Sequence, residues 1–356
     1  MDLTKAQVLE ALKKGRAEKL KEDIEYVRFR ENHGKVNRGT VVTRERVICG
    51  FEHIPRIFTL EKGLARNINS DEVYIEEKID GFNLRVAKVD GKIFAFSRGG
   101  FIDAFATEKA AEMGLEKFFS DHPDFVLCGE MIGNTPYTTP TDKFDVKLFV
   151  FDIDNGSGTY LPCEEKYGIL KKYKIEGVPA FGRFRISDIK KIRDLALQLN
   201  RSKKEGMVIK TPDRKKTIKF VTPNADIEDI ENCSPVFFDM PIGFYIQRVF
   251  RSGLFIREFG LDVDDYAKRL GMAFYGGLHK GIDYVDEGRG AEEIFEIFVK
   301  NPGTWETIHH HMSKEVKLEV LFNRDESGGK RIRFRKLYKK TTKKIHDALS
   351  GKGLTD

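Results

Sequence analysis

The chain has 356 residues, 40% of them hydrophobic and 33% charged, enough for two or three cored units of a soluble globular protein. The formal net charge is +6, but residues 330–344 (KRIRFRKLYKKTTKK) hold nine basic residues and no acid, so the rest of the chain is net acidic. The amino-terminal stretch is charged and amphipathic with no apolar signal region, no run is long enough for a membrane span, and the four scattered cysteines form no CxxC pair. These features predict a cytoplasmic protein in a reducing compartment, with no zinc site and no membrane partner.

In chain order, residues 1–22 predict a helix and 24–60 short strands joined by turns at Asn32-His33-Gly34 and Asn37-Arg38-Gly39. From about 70 to 222, strand-like runs alternate with turns: VYIEEKI, FNLRVAKV, KIFAFSR, FVLCGEMI, VKLFVFDI, GMVIKT and TIKFVT. Helical patterns intervene near 104–119, 164–174 and 187–201. Residues 241–300 show helical spacing of large apolar residues, and 301–356 read as helical and basic. The predicted fold is α+β: an N-terminal unit over 1–65, a domain of antiparallel sheets with flanking helices over 66–235, a helical unit over 236–300 and a basic helical unit over 301–356.

The most informative segment is EKIDG, Glu77 to Gly81. It places Lys78 at the end of one strand and the start of a turn, where apolar cover lets a lysine act as a nucleophile. Downstream come SRGG with Arg98, LCGEMIG with Glu130, VKLFVFDI with Phe151, KEGMVIK with Glu205 and Lys210, and TIKFVT with Lys219. Singly, each has a bland reading: a loop arginine, a core phenylalanine, a charge pair around a buried strand. Together they make a chemical set. A lysine attacking an α-phosphate needs cations around the phosphorus, which Lys210, Lys219 and Arg98 supply. It needs a metal on the triphosphate, for which Glu205 and Glu130 are candidates. It also needs a slot for a base, with Phe151 as a face and Glu76 reaching the base edge from the strand face it shares with Lys78.

The ordered set EKIDG, SRGG, CGEM, FVFDI, EGMVIK and TIKFV resembles the covalent nucleotidyltransferases, the superfamily of ATP-dependent ligases and capping enzymes. The longer string EKIDGFNLR with a helical tail most resembles the archaeal homodimeric ATP-dependent RNA ligases. The resemblance implies a nucleotidyltransferase fold, ATP and Mg²⁺, and RNA with 5′-phosphate and 3′-hydroxyl ends, joined or circularised through a Lys78–AMP intermediate. It implies that Asn83 and Arg98 meet ribose or phosphate, Glu130 the ribose or metal, Phe151 the adenine and Glu205 the metal, while Lys210 and Lys219 grip the α-phosphate. Val221 stands where many ligases carry a second lysine in the last motif. In that family the helical region pairs two subunits, and Phe244, Tyr245, Val249, Phe250, Leu254 and Phe255 suit an interface. A DNA ligase, an RNA guanylyltransferase and a non-catalytic RNA-binding module on the same fold are the alternatives. The run His309–His311 points around a helix and cannot converge on one ion. Phe334 and Tyr338 interrupt the basic run, a pattern that suits a nucleic-acid strand.

Overall fold

A computed structural model describes residues 3–353 except 139, 142 and 315. The chain opens with α1 (Lys5–Lys13), started by a capping box in which Thr4 and Gln7 satisfy each other's backbone N–H groups. Gly15, at φ +66°, ends it. The expected helix to residue 22 is therefore half as long, because AEKLK continues instead as strand β1 (Ala17–Lys21). With β2 (Glu25–Phe29), β3 (Val41–Val42) and β4 (Val47–Ile48) it forms a four-stranded sheet in sequence order.

After α2 (Leu60–Asn67) come β5 (Glu72–Lys78), β6 (Phe82–Val89) and β7 (Lys92–Ser97). Then follow α3 (Ala104–Ala111), α4 (Glu116–Asp121), β8 (Val126–Gly133), β9 (Val146–Asp154), α5 (Cys163–Tyr173), β10 (Ala180–Arg185), α6 (Ile189–Arg201), β11 (Gly206–Lys210) and β12 (Thr217–Val221). These strands make two antiparallel sheets, ordered β7-β6-β8-β9 and β10-β5-β11-β12. Consecutive strands β5 and β6 lie in different sheets, so the Ile79-Asp80-Gly81 turn is a corner between them. Each sheet has its own core. Leu84, Val86, Leu127 and Val150 pack with α3 and α4, while Val73, Ile75, Met207 and Ile209 pack with α2 and α6.

The segment Pro55–Ile57 adds a short parallel pairing to the edge of β12: Ile57 N–H donates to the Lys219 carbonyl and Lys219 N–H to that of Pro55. The N-terminal sheet is fastened to the β7-β6-β8-β9 sheet by Arg85 of β6. Its fully buried guanidinium donates to the carbonyls of Cys49, Gly39 and Ser97 at 2.7–2.8 Å. Gly100, at φ +83°, meets Gly39 so closely that a Cβ there would come 2.7 Å from the Gly39 carbonyl oxygen.

The tail contains α7 (Pro223–Cys233), α8 (Ile242–Phe259), α9 (Val263–Asp286), β13 (Glu292–Val299), α10 (Pro302–Met312), β14 (Lys317–Glu326), β15 (Gly329–Leu337) and α11 (Lys339–Leu349). The expectations of helix over 241–300 and throughout 301–356 are both corrected here: β13, within the first stretch, pairs with β15 in the three-stranded antiparallel sheet β13-β15-β14. The reason is visible in RIRFRKL. Ile332 and Phe334 are fully buried while Arg331, Arg333 and Arg335 occupy the other face, a period of two. No helix among the described residues is long and apolar enough to cross a membrane.

The expected interface residues also divide. Phe255 is buried against Phe220 and Phe259, and Tyr245 packs on Phe237 and Phe274. Val249 and Phe250 remain exposed, in company with Ile242, Ile246, Met272 and Tyr275.

Candidate active site

Register lays out the site. Along β5, Glu76 and Lys78 alternate onto one face. Across the sheet Glu76 is paired with Val208, Val208 with Lys219, and Lys219 with Arg56 of the edge segment. The next row runs Lys78, Gly206, Val221. Gly206 has φ +150°, and a Cβ there would lie 2.1 Å from the Phe220 carbonyl oxygen, so only glycine fits behind Glu205.

The facing sheet contributes Asn83 from β6, Glu130 from β8 and Phe151 from β9, and the loop after β7 contributes Arg98. Together with Glu76, Lys78, Lys210 and Lys219 these line one cavity of about 120 Å³. Eight of the nine expected residues thus converge, and the ninth, Glu205, touches the site through Lys78, its Oε2 2.5 Å from Nζ. The apolar end of the cavity is walled by Phe51, Phe151, Ile54, Val178 and Val208. Phe51 meets Phe151 edge to face at 5.1 Å.

Lys210 departs from its expected place at the phosphate. It is 1% exposed, and its ammonium donates to the Phe151 carbonyl at 2.6 Å and to Asp152 at 2.9 Å, with Glu76 Oε2 at 2.7 Å. A cation with three oxygen neighbours and almost no exposure is a brace behind the aromatic wall of the cavity. Lys166 of α5 joins it by hydrogen bonds to Glu76 and the Phe151 carbonyl, and Arg214 grips both oxygens of Asp152. Burial alone would raise Asp152 and Glu76; Lys210 with Arg214 and Lys166 hold both below the ordinary carboxylate range. Lys210 is raised, its burial outweighed by Asp152 and Glu76.

At the polar end the balance reverses. Burial pushes Lys219 down to about 8, and the neighbouring cations Arg56, Lys78 and Arg98 push the same way. Burial raises Glu130 to about 7 and Asp80 to about 6, and the Glu205 carboxylate adds to both. Crowded acids that resist ionising are the setting a divalent cation relieves. No group of three or more His, Cys, Asp or Glu side chains is arranged to hold an ion among the described residues. Two carboxylates with water and phosphate oxygens suit Mg²⁺, which keeps much of its hydration. Two buried polar atoms beside the site, Asn83 Oδ1 and Arg56 Nε, have no hydrogen-bond partner, as expected of groups awaiting a polar ligand.

Reading the sequence missed Phe51, Arg56, Asp152, Lys166 and Arg214. Only Lys166 carried a local signal. Spaced with Cys163 and Leu170 at i, i+3 and i+7, it lies on the buried face of α5.

Residues 71–221 match the RNA ligase family model, and residues 233–352 match the model of the ligase Pab1020 C-terminal region. The chain belongs to the ATP-dependent RNA ligase family. An archaeal ATP-dependent RNA ligase of known structure is 29% identical to this family member, with a TM-score of 0.91 over 99% of this chain and 97% of the other. A structure from Aquifex aeolicus, provisionally named an ATP-dependent DNA ligase, is 30% identical with a TM-score of 0.93 over 99% of this chain and 100% of that one. An uncharacterized protein of Methanocaldococcus jannaschii is 28% identical over 350 residues, 92% of this chain and 88% of its own.

Proposed function

We propose that this ligase joins 5′-phosphate and 3′-hydroxyl RNA ends at the expense of ATP, through a nucleotide covalently held on Lys78. The observation that carries the reading is the Lys78 amine at the polar mouth of an aromatic slot, ringed by Lys219, Arg98 and Arg56. Adenine lies against the Phe151 ring, which Phe51 backs edge to face, with Glu76 at its edge. Asn83 and Arg98 meet the ribose and phosphates. Lys219 grips the α-phosphate, and Arg56 supplies the charge that Val221 does not. Glu205 with Glu130 would hold Mg²⁺, which neutralises the triphosphate and the leaving pyrophosphate.

The Lys78 ammonium first loses a proton, for which the Glu205 carboxylate is the nearest acceptor. Nζ then attacks the α-phosphorus; the N–P bond forms, the bond to the bridging oxygen breaks, and pyrophosphate leaves with the electron pair. A 5′-phosphate oxygen of RNA next displaces Nζ, regenerating the amine. Finally the 3′-hydroxyl attacks the 5′-phosphorus, losing its proton and expelling AMP. The cations around Lys219 stabilise charge in each step.

The exposed apolar face of α8 and α9 supports a homodimer, and the four free cysteines suit a cytoplasmic protein. The test is incubation with Mg²⁺ and α-labelled ATP or GTP, denaturing electrophoresis, then a chase with 5′-phosphorylated RNA or DNA. Label from ATP should survive denaturation, vanish in Lys78→Ala and Lys78→Arg, and pass to RNA. Residual label with arginine, which stays protonated, would sink the nucleophile assignment. The name of the Aquifex aeolicus neighbour favours DNA as the second reading, and transfer to DNA alone would establish it.

A further inference from the structure

Beyond the Asp80-Gly81 corner lies a second cavity, of about 460 Å³. Phe82, the first residue of β6, stacks on Tyr137 at 4.3 Å, and Tyr137 forms part of the cavity wall. The opposite walls come from α9, through Lys280 and Tyr284, and from the C-terminal sheet, through Glu293 and Lys336, with Tyr338 just past β15. The cavity combines ring faces, a cation and acceptors.

Lys336 is the unusual member. Its ammonium donates to the Pro136 carbonyl at 2.9 Å, lies 4.0 Å from the Phe295 ring centroid, and has no carboxylate at ion-pair distance among the described residues. Burial lowers it to about 8. An ammonium has three donors, so such a group keeps capacity for a ligand. Glu293 accepts from the Tyr338 hydroxyl and keeps further acceptor capacity.

Adjoining this cavity is a third, of about 470 Å³, whose wall holds Lys339, Lys343 and His346, with no ion pair among the described residues, and Arg289 and Lys317, which are answered by Glu292 and Glu319. The Arg289 guanidinium lies 4.0 Å over the Tyr284 ring and so joins the two cavities. From the nucleophile outward, the order is therefore a ring-lined cavity with hydrogen-bonding groups and then a cation-lined one. Rings accept the π-face of any base, and cations follow a phosphate backbone. A base can enter such a cavity only if it is unstacked, which selects a single strand over a duplex.

We propose that these two cavities form a track for single-stranded RNA: the first holds an unstacked base near the reacting end, and the second takes the phosphates further along the same strand. This rests on the RNA ligase reading above.

The test uses a 5′-phosphorylated single-stranded RNA and a series of the same RNA lacking one base at successive positions from each end. Wild type should join RNA about tenfold more slowly when the base at one position near an end is missing, the size of a lost base-stacking contact. Tyr284→Ala should be slow on intact RNA and indifferent to that missing base, with capture of labelled AMP unchanged. Lys343→Glu should weaken RNA binding and flatten its salt dependence. Should Tyr284→Ala lose AMP capture through misfolding, Lys280→Ala and Lys336→Met make the same comparison. Wild type that joins RNA yet ignores every missing base overturns the track, as does a set of pocket variants that keep the full dependence. Wild type that joins no RNA overturns the ligase reading and the track with it.

Discussion

Lys219 gives the site a pH signature. With its titration brought down to about 8, it is a cation below that pH and neutral above it. Nucleotide capture should fall as pH rises through about 8, and Lys219→Arg, which stays charged, should move that fall to higher pH. A rate measured against pH for both proteins checks this. The stability sign is opposite. Between about 8 and the ordinary 10.5 the unfolded chain holds this proton more firmly, so Lys219's contribution to stability grows with pH there. Lys210 is a different kind of lysine. Lys210→Met leaves Glu76 and Asp152 buried with a partner gone and should cost about 3–5 kcal/mol in denaturant melts. Lys219→Met should cost far less while abolishing capture; equal losses of stability would refute the distinction between brace and grip.

At the level of elements, the basic run 330–344 splits into two pieces with different electrostatics. In β15 the charges are largely answered by acids on its own sheet: Arg331 by Glu326 at 2.9 Å, and Arg335 by Glu319 and Glu292 at 2.5 and 2.8 Å. In α11, Lys339, Lys340, Lys343 and Lys344 have no ion pair among the described residues. Reversing the α11 lysines to Glu should weaken RNA binding and reduce its salt slope, whereas Arg331→Gln with Arg333→Gln should change little. Binding curves at two salt concentrations decide, and the opposite ranking would move the contact face to the strand. The same contrast shows what a sequence discloses. The nucleophile's strand, corner and facing strand were legible because EKIDGFNLR is local: two periods of alternation around a turn. The brace beneath the aromatic wall was not, since it unites Glu76, Asp152, Lys166, Lys210 and Arg214 from three strands, a helix and a loop. Arg56 was hidden for the same reason, as only a pairing across 163 positions brings it beside Lys219.

For the whole molecule, the feature that stands out is the apolar face of α8 and α9. Ile242 is 79% exposed, Ile246 62%, Phe250 59% and Met272 66%, on a protein whose other large apolar side chains mostly find cores. If a second copy of the chain covers that face, as proposed above, Ile246→Glu with Phe250→Glu should halve the mass seen in sedimentation while leaving AMP capture intact; a wild type already sedimenting as a monomer would remove the dimer. One local contact also governs the resting protein. Acylating agents and reactive carbonyls consume free amines, and the Glu205 carboxylate, 2.5 Å from Lys78 Nζ, stands between that amine and such reagents. Nucleotide and cation, on arrival, would give Glu205 a competing charge and free the amine in the presence of its proposed target. The ion pair would thus act as a safety catch, sparing the proposed nucleophile and tying its readiness to react to the presence of fuel.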